Sequence, residues 1–367
     1  MEKDINFQNV NVKAKNPFFS ASLTYLVIMV LFVLVRIGAY FGMFNFLGEY
    51  SDLAYSILIQ IVIIFGCSLL LFKGLTKKSL NQIFKDFHFT KISLKAVLIS
   101  IGLGICIIFV NIAINSVYVW ILSMFGYSPS STSISSYSLT AFLLAIFASA
   151  ILPAFCEEFA NRGMLLSGLK KLGAKKAIIL SGLLFGLMHL NVAQFGYAFV
   201  IGMYLGFICL ATGSIIPGMI IHFMNNALNE YFTFASVNSL PLGDFYENLN
   251  ALLTGGSFVH SILIIFFLLL TVIFVFAWLS YLLIKNTRRD KLKSLGKELS
   301  ETIKEATEEQ QTQEQAPQIF RINIPISALG IQTKQTLFPS LKQNIPIYCA
   351  IFLSAVITVM TLIWNVI

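Results

Sequence analysis

Two neighbouring carboxylates and a guanidinium, Glu157, Glu158 and Arg162 in the stretch CEEFANRG, stand inside a run otherwise apolar enough to cross a membrane. A charge at mid-bilayer costs at least about 2.5 kcal/mol, so such a cluster marks a functional site by default. Helix spacing separates the three. Glu158 and Arg162 are four apart with the acid N-terminal, the orientation that pairs well on one helix face. Glu157 points about 100° away around the axis and has no such partner on its own helix. The expectation is that Arg162 holds Glu158 ionised as a support and leaves Glu157 free to exchange protons. A buried salt bridge that fixes helix register would account for Glu158 and Arg162 alone.

Two of the chain's four histidines extend the constellation. His189 closes FGLMH, and His222 opens HFMNN, which sets Asn226 one turn after His222 on the same face. A glutamate beside a histidine suits general-base chemistry, and a histidine with an amide can supply hydrogen-bond donors. Glu157, His189 and His222 are also a legitimate zinc set, although the HExxH spacing is absent and each comes from a different segment. Cys156 adjoins the acids, yet a reactive thiolate needs an electropositive neighbourhood and two carboxylates supply the opposite. The five cysteines show no CxxC spacing and read as packing residues.

These side chains have to be positioned by membrane helices. With 57% hydrophobic and 11% charged residues and a mean hydropathy of +0.81, the chain has too little polar surface for a soluble globule. Only helices or closed barrels satisfy their backbone in lipid, and the apolar runs have helical length. The expected fold is an all-α polytopic bundle of about eight to nine transmembrane helices around a buried polar chamber. The nine spans are Phe18 to Leu47, Asp52 to Phe72, Leu94 to Phe125, Ser138 to Leu169, Ala177 to Leu190, Phe195 to Ala211, Ile215 to Ser236, Phe258 to Ile284 and Ile347 to Ile367. The fifth and sixth are short.

Lys and Arg concentrate in alternate loops: Lys3, Lys13 and Lys15, then 73–91, 170–176 and 285–293. The intervening loops around Glu49, after Gly126 and after Val237 carry none. The positive-inside rule then puts the N-terminus in the cytoplasm and the C-terminus outside, in a multi-pass protein of the cell membrane. The net charge of +8 is a topology signal and an attraction to the lipid bilayer, with no nucleic-acid motif to claim it. Residues 1–17 form a cytoplasmic segment, and 18–137 hold the first transmembrane helices. Near 75–91, Leu80, Ile83, Phe84 and Phe87 recur at helical spacing, as in an amphipathic helix lying on the cytoplasmic surface. Residues 138–237 carry the reactive side chains, 238–257 form an outside loop and 258–284 a further span. Residues 285–345 form a cytoplasmic charged segment, a helix that runs into a tether, and 346–367 the last span.

Depth along the helices is only partly consistent. Glu157 lies about 20 Å from a boundary at Lys170 and His189 about 18 Å from Ala177, whereas His222 is only about 8 Å from Pro217. A tilt, a bend at Pro153 or a re-entrant stretch is needed to bring all three together.

EExxxR at Glu157 to Arg162, FxxxH at Phe185 to His189 and HxxxN at His222 to Asn226, in this order over about residues 140–235, resemble the CPBP family. That family groups CAAX prenyl endopeptidases with bacterial Abi-type membrane proteases. The resemblance implies an intramembrane endopeptidase acting on a peptide or membrane-anchored protein. Glu157 would be the base that activates water, assisted by His189. His222 and Asn226 would be oxyanion donors, with Glu158 and Arg162 in support. No cofactor is required on this reading, with zinc as the alternative. A proton-coupled transporter could use similar residues, though no internal repeat is evident. A scaffold or immunity protein could keep the fold with idle chemistry.

Overall fold

The computed structural model describes residues 16–128, 136–244, 248, 258–312 and 341–366. Among them, ten helices and no strand are found: α1 Pro17–Tyr40, α2 Asn45–Thr76, α3 Leu80–Asp86, α4 Leu94–Ser123, α5 Leu139–Leu172, α6 Ala174–Met188, α7 Val192–Thr212, α8 Ile216–Val237, α9 Phe258–Thr312 and α10 Leu341–Val366. The starts follow local chemistry. Ser79, Ser93, Ser138 and Asn191 each accept a backbone N–H of the first turn, and Pro17 and Pro217 occupy first-turn positions that need no donor. The polar stretch 1–15, parts of the two expected outside loops (129–135, 245–247 and 249–257) and the expected tether at 313–340 lie outside the described residues.

Seven helices, rather than nine, are long and apolar enough to cross a membrane. The two that fall short are α6 and α8. At 15 residues α6 is about 22 Å long, against a hydrocarbon core of about 30 Å. α8 is long enough but carries His222, Asn225, Asn226, Asn229 and Glu230. The chain is nevertheless a multi-pass integral membrane bundle.

α3 is shorter than the 75–91 pattern, and part of its apolar face is covered by protein. Ile83 and Phe87 are fully buried, with Phe87 packed on Phe72 of α2 and Phe159 of α5 at ring distances of 5.3 and 5.1 Å. The segment plugs the end of the bundle. Behind it, the α7–α8 turn is tied down: Ile215 N donates to His88 O at 3.0 Å, Ser214 Oγ to Thr90 O at 2.8 Å, and Thr90 Oγ1 to Gly213 O at 2.7 Å. α8 therefore begins under a protein cover. That removes the depth mismatch of His222, because the start of its helix is buried with Ser214 and Ile215 and does not mark a membrane boundary. α5 passes through Pro153 as one continuous helix, with a π-helical stretch at Ile146–Ile151 just before it.

α6 and α7 form a tight hairpin. A Cβ on Gly182 would meet Met203 N at 2.8 Å and Phe199 O at 2.9 Å, and one on Gly202 would meet the Gly182 Cα at 3.0 Å. Only glycine permits that approach. The eighth expected span continues without a break into the charged segment, making α9 one 55-residue helix. Cys349 is exposed, so it is not a core packing residue as its apolar surroundings suggested.

Candidate active site

α2 and α5 are not plain α-helices where they face each other. The stretches Leu58–Leu71, Ile146–Ile151 and Phe159–Leu165 are π-helical, a wider winding that recurs at functional sites. Gln60 lies in the first, and Arg162 lies in the third, directly after the two glutamates.

Glu158 and Arg162 are fully buried and paired, Nη1 to Oε1 at 2.8 Å. The same Oε1 accepts His222 Nδ1 at 3.0 Å. Arg162 Nη2 donates to Gly202 O at 3.1 Å, and the guanidinium sits 4.3 Å over the Phe185 ring. Desolvating these charges is costly unless they are matched; carboxylate, imidazole, carbonyl and ring supply matches here, while Glu158 Oε2 and Arg162 Nε have no hydrogen-bond partner among the described residues. Gly218 leaves room for the acid, since a Cβ there would stand 3.2 Å from Glu158 Oε2. Phe185 also meets both imidazoles edge-on, His189 at 5.1 Å and His222 at 5.7 Å.

Glu157 faces the other way, as its offset around the helix requires. Its Oε1 accepts Gln60 Nε2 at 2.8 Å, and its backbone carbonyl accepts Asn161 Nδ2 at 2.9 Å. Its Oε2 is buried and has no hydrogen-bond partner among the described residues. Glu157, His189, His222 and Asn226 line one cavity of about 890 Å³, with Glu158 and Arg162 behind its wall. Hydrogen-bond partners set the proton positions. His189 Nδ1 lies 2.9 Å from Phe185 O, a group that only accepts, so Nδ1 carries the hydrogen and Nε2 has the lone pair. His222 Nδ1 likewise donates to the Glu158 carboxylate. Asn226 donates one of its two N–H groups to Ser149 O at 2.9 Å and accepts Asn225 Nδ2 at 3.0 Å.

Several contributors were not identified from sequence. Gln60 is a lone amide in LIQIVII, which is itself a signal in an apolar run, but nothing local says which helix it faces. Arg36 donates Nη1 to His189 O at 3.0 Å and so holds the carbonyl at the end of α6. Asn111 bridges α4 to Asn225 at 3.3 Å. Among the described residues no group of three or more His, Cys, Asp or Glu side chains is gathered to hold a metal ion.

Residues 139–228 match the family model for type II CAAX prenyl endopeptidase, Rce1-like. The match supports a CPBP-family intramembrane protease. The match contains every side chain of the three motifs, and leaves Arg36, Gln60 and Asn111 outside it. No curated protein and no solved structure matches the chain. The Rce1-like match supports an intramembrane endopeptidase in general and, with it, a peptide or protein substrate met in a membrane setting.

Proposed function

We propose that the chain hydrolyses a peptide bond with a water activated by Glu157 and without a metal. The observation that carries this reading is that Glu157, whose Oε2 has no partner among the described residues, lines one cavity with His189, His222 and Asn226. Oε2 takes a proton from water as the oxygen attacks the scissile carbonyl carbon. His189 accepts a hydrogen bond from that water at Nε2 and orients it. The carbonyl oxygen becomes an oxyanion, met by Asn226 through its second N–H and by His222 through Nε2–H. His222 can donate from both nitrogens only as the imidazolium, and the carboxylate of Glu158 is its counter-ion. Glu157 then returns its proton to the departing nitrogen, the C–N bond breaks, and a carboxylic acid and an amine leave.

Two further expectations belong to this proposal: a cell-membrane location, and a cytoplasmic N-terminus with the C-terminus outside, both resting on the distribution of Lys and Arg. The test compares the membrane peptidome of cells carrying wild type with that of cells carrying Glu157→Gln, alongside purified protein treated with a chelator. Fragments present only with wild type, and turnover indifferent to the chelator, are expected. Turnover abolished by the chelator and restored by zinc would overturn the metal-free reading.

A further inference from the structure

The cavity wall carries four carboxylates, Glu49, Asp52, Glu157 and Glu230, and no Lys or Arg. This is the reverse of the chain as a whole, which has 25 Lys and Arg against 17 Asp and Glu. The arrangement is directional. Asp52 lies eight residues before Gln60 on α2, and Glu230 eight residues after His222 on α8, each about 12 Å along its helix. The two helices run in opposite directions, because the C-terminal end of α2 and the start of α8 both meet the α3 plug, at Phe72–Phe87 and at Ile215–His88. Asp52 and Glu230 therefore stand at the same end of the cavity, away from the plug. Glu49, one turn before Asp52, joins them there, and Tyr137 Oη steadies Glu230 through a 3.0 Å hydrogen bond.

An independent observation lies at the floor. Gln60 and Glu157 are each only 8% exposed, and each has a buried side-chain oxygen without a donor among the described residues, Oε1 of Gln60 and Oε2 of Glu157. With Glu157 Oε2 given to the attacking water, the unmet Oε1 of Gln60 below can accept an N–H of the ligand, and the carboxylates above call for positive charge.

We infer that the chamber selects a cationic peptide segment, one with Lys or Arg placed to meet Asp52, Glu230 and Glu49 while the scissile bond lies at Glu157. This rests on the endopeptidase reading. A distance of about 12 Å spans three to four residues of extended chain, so the basic residue stands three or four positions from the bond that is cut. The apolar lining, Phe32, Leu53 and Ile201 among it, suits neighbouring aliphatic side chains.

The probes are three fluorescein-labelled octapeptides of Leu and Ala that differ at one position near an end, holding Lys, Gln or Glu. Binding is read by anisotropy to full-length Glu157→Gln protein in phosphatidylcholine nanodiscs, whose lipids carry no net charge. The Lys peptide is expected to bind about tenfold more tightly than the Gln peptide, a preference that shrinks as salt screens the mouth. Further substitution with E49Q, D52N and E230Q should bring that ratio to about one, and Asp52→Lys should turn it towards the Glu peptide, which shows the protein still folded. Equal binding of all three peptides, or a Lys preference that survives the neutralised mouth, overturns the inference. Cleavage of the same peptides by protein with Glu157 intact tests the other reading separately. Charge-selective binding without any cleavage counts against the protease alone, and cleavage indifferent to charge counts against the cationic site alone.

Discussion

Gln60 of α2 and Glu157 of α5 are joined by a 2.8 Å hydrogen bond between buried side chains. One carboxylate oxygen is thereby committed to a neutral amide and the other is left without a partner among the described residues, which orients the group without neutralising it. It also brings a helix outside the Rce1-like segment into the site. Replacing Gln60 by Leu removes a donor to a charged acceptor, an interaction worth about 1.5–3 kcal/mol. We expect kcat to fall about tenfold or more, because the residue positions the base. A rise in KM at constant kcat would refute that role.

Arg162 is the cation of a fully buried pair, and its second nitrogen holds Gly202 O. Removing one partner of such a pair commonly costs about 3–5 kcal/mol, since the other is left buried and uncompensated. Arg162→Met should lower the melting temperature in detergent sharply, and Arg162→Lys should recover little, because an ammonium cannot reach Glu158 and the carbonyl in a planar fork. Full recovery by Lys would mean that the charge alone matters.

The α6–α7 hairpin is tested at Gly182. A methyl group there meets backbone atoms of α7 at under 3 Å, and overpacking of this kind costs about 1–3 kcal/mol. Gly182→Ala should reduce both stability and turnover, since the displaced α7 carries the Gly202 carbonyl. Unchanged thermal stability would show that the helices can separate without cost.

At Asn226, substitution by Ala removes one of the two proposed oxyanion donors, and kcat should fall about 10²–10³-fold in a peptide-cleavage assay. A loss well below tenfold would assign the oxyanion to other groups.

His88 sits outside the membrane spans, in the turn that caps the bundle. Burial, with Lys170 alongside as the next cause, pushes it down to about 4 from an ordinary 6.5. Between these values the unfolded chain binds a proton that the folded one refuses, so stability rises with pH across that window and is lost as pH falls through it. Melting in detergent from pH 6.5 down to 4 should show this loss, and His88→Gln should flatten it. Identical profiles for the two proteins would exclude His88 as the source.

Some of this was readable without a fold. Long apolar runs dictate membrane helices, because nothing else satisfies backbone polar groups in lipid. The Glu158–Arg162 pair and the divergence of Glu157 follow from local helix spacing, and the hydrogen bond from His189 to Phe185 O is likewise an i, i+4 contact. What local spacing could not decide is which groups from distant segments meet. Gln60 reaches Glu157 across 97 positions, Arg36 reaches His189 across 153, and His222 reaches Glu158 across 64. The same limit explains α3 and α8. Periodicity reveals that a face is apolar but not whether lipid or protein covers it, and Phe87 was buried by Phe72 and Phe159 instead of by lipid. Residue types and spacing determined the membrane bundle and the reactive side chains; tertiary packing alone decided their partners, because those contacts depend on how separate helices dock and not on the order of residues within any one of them.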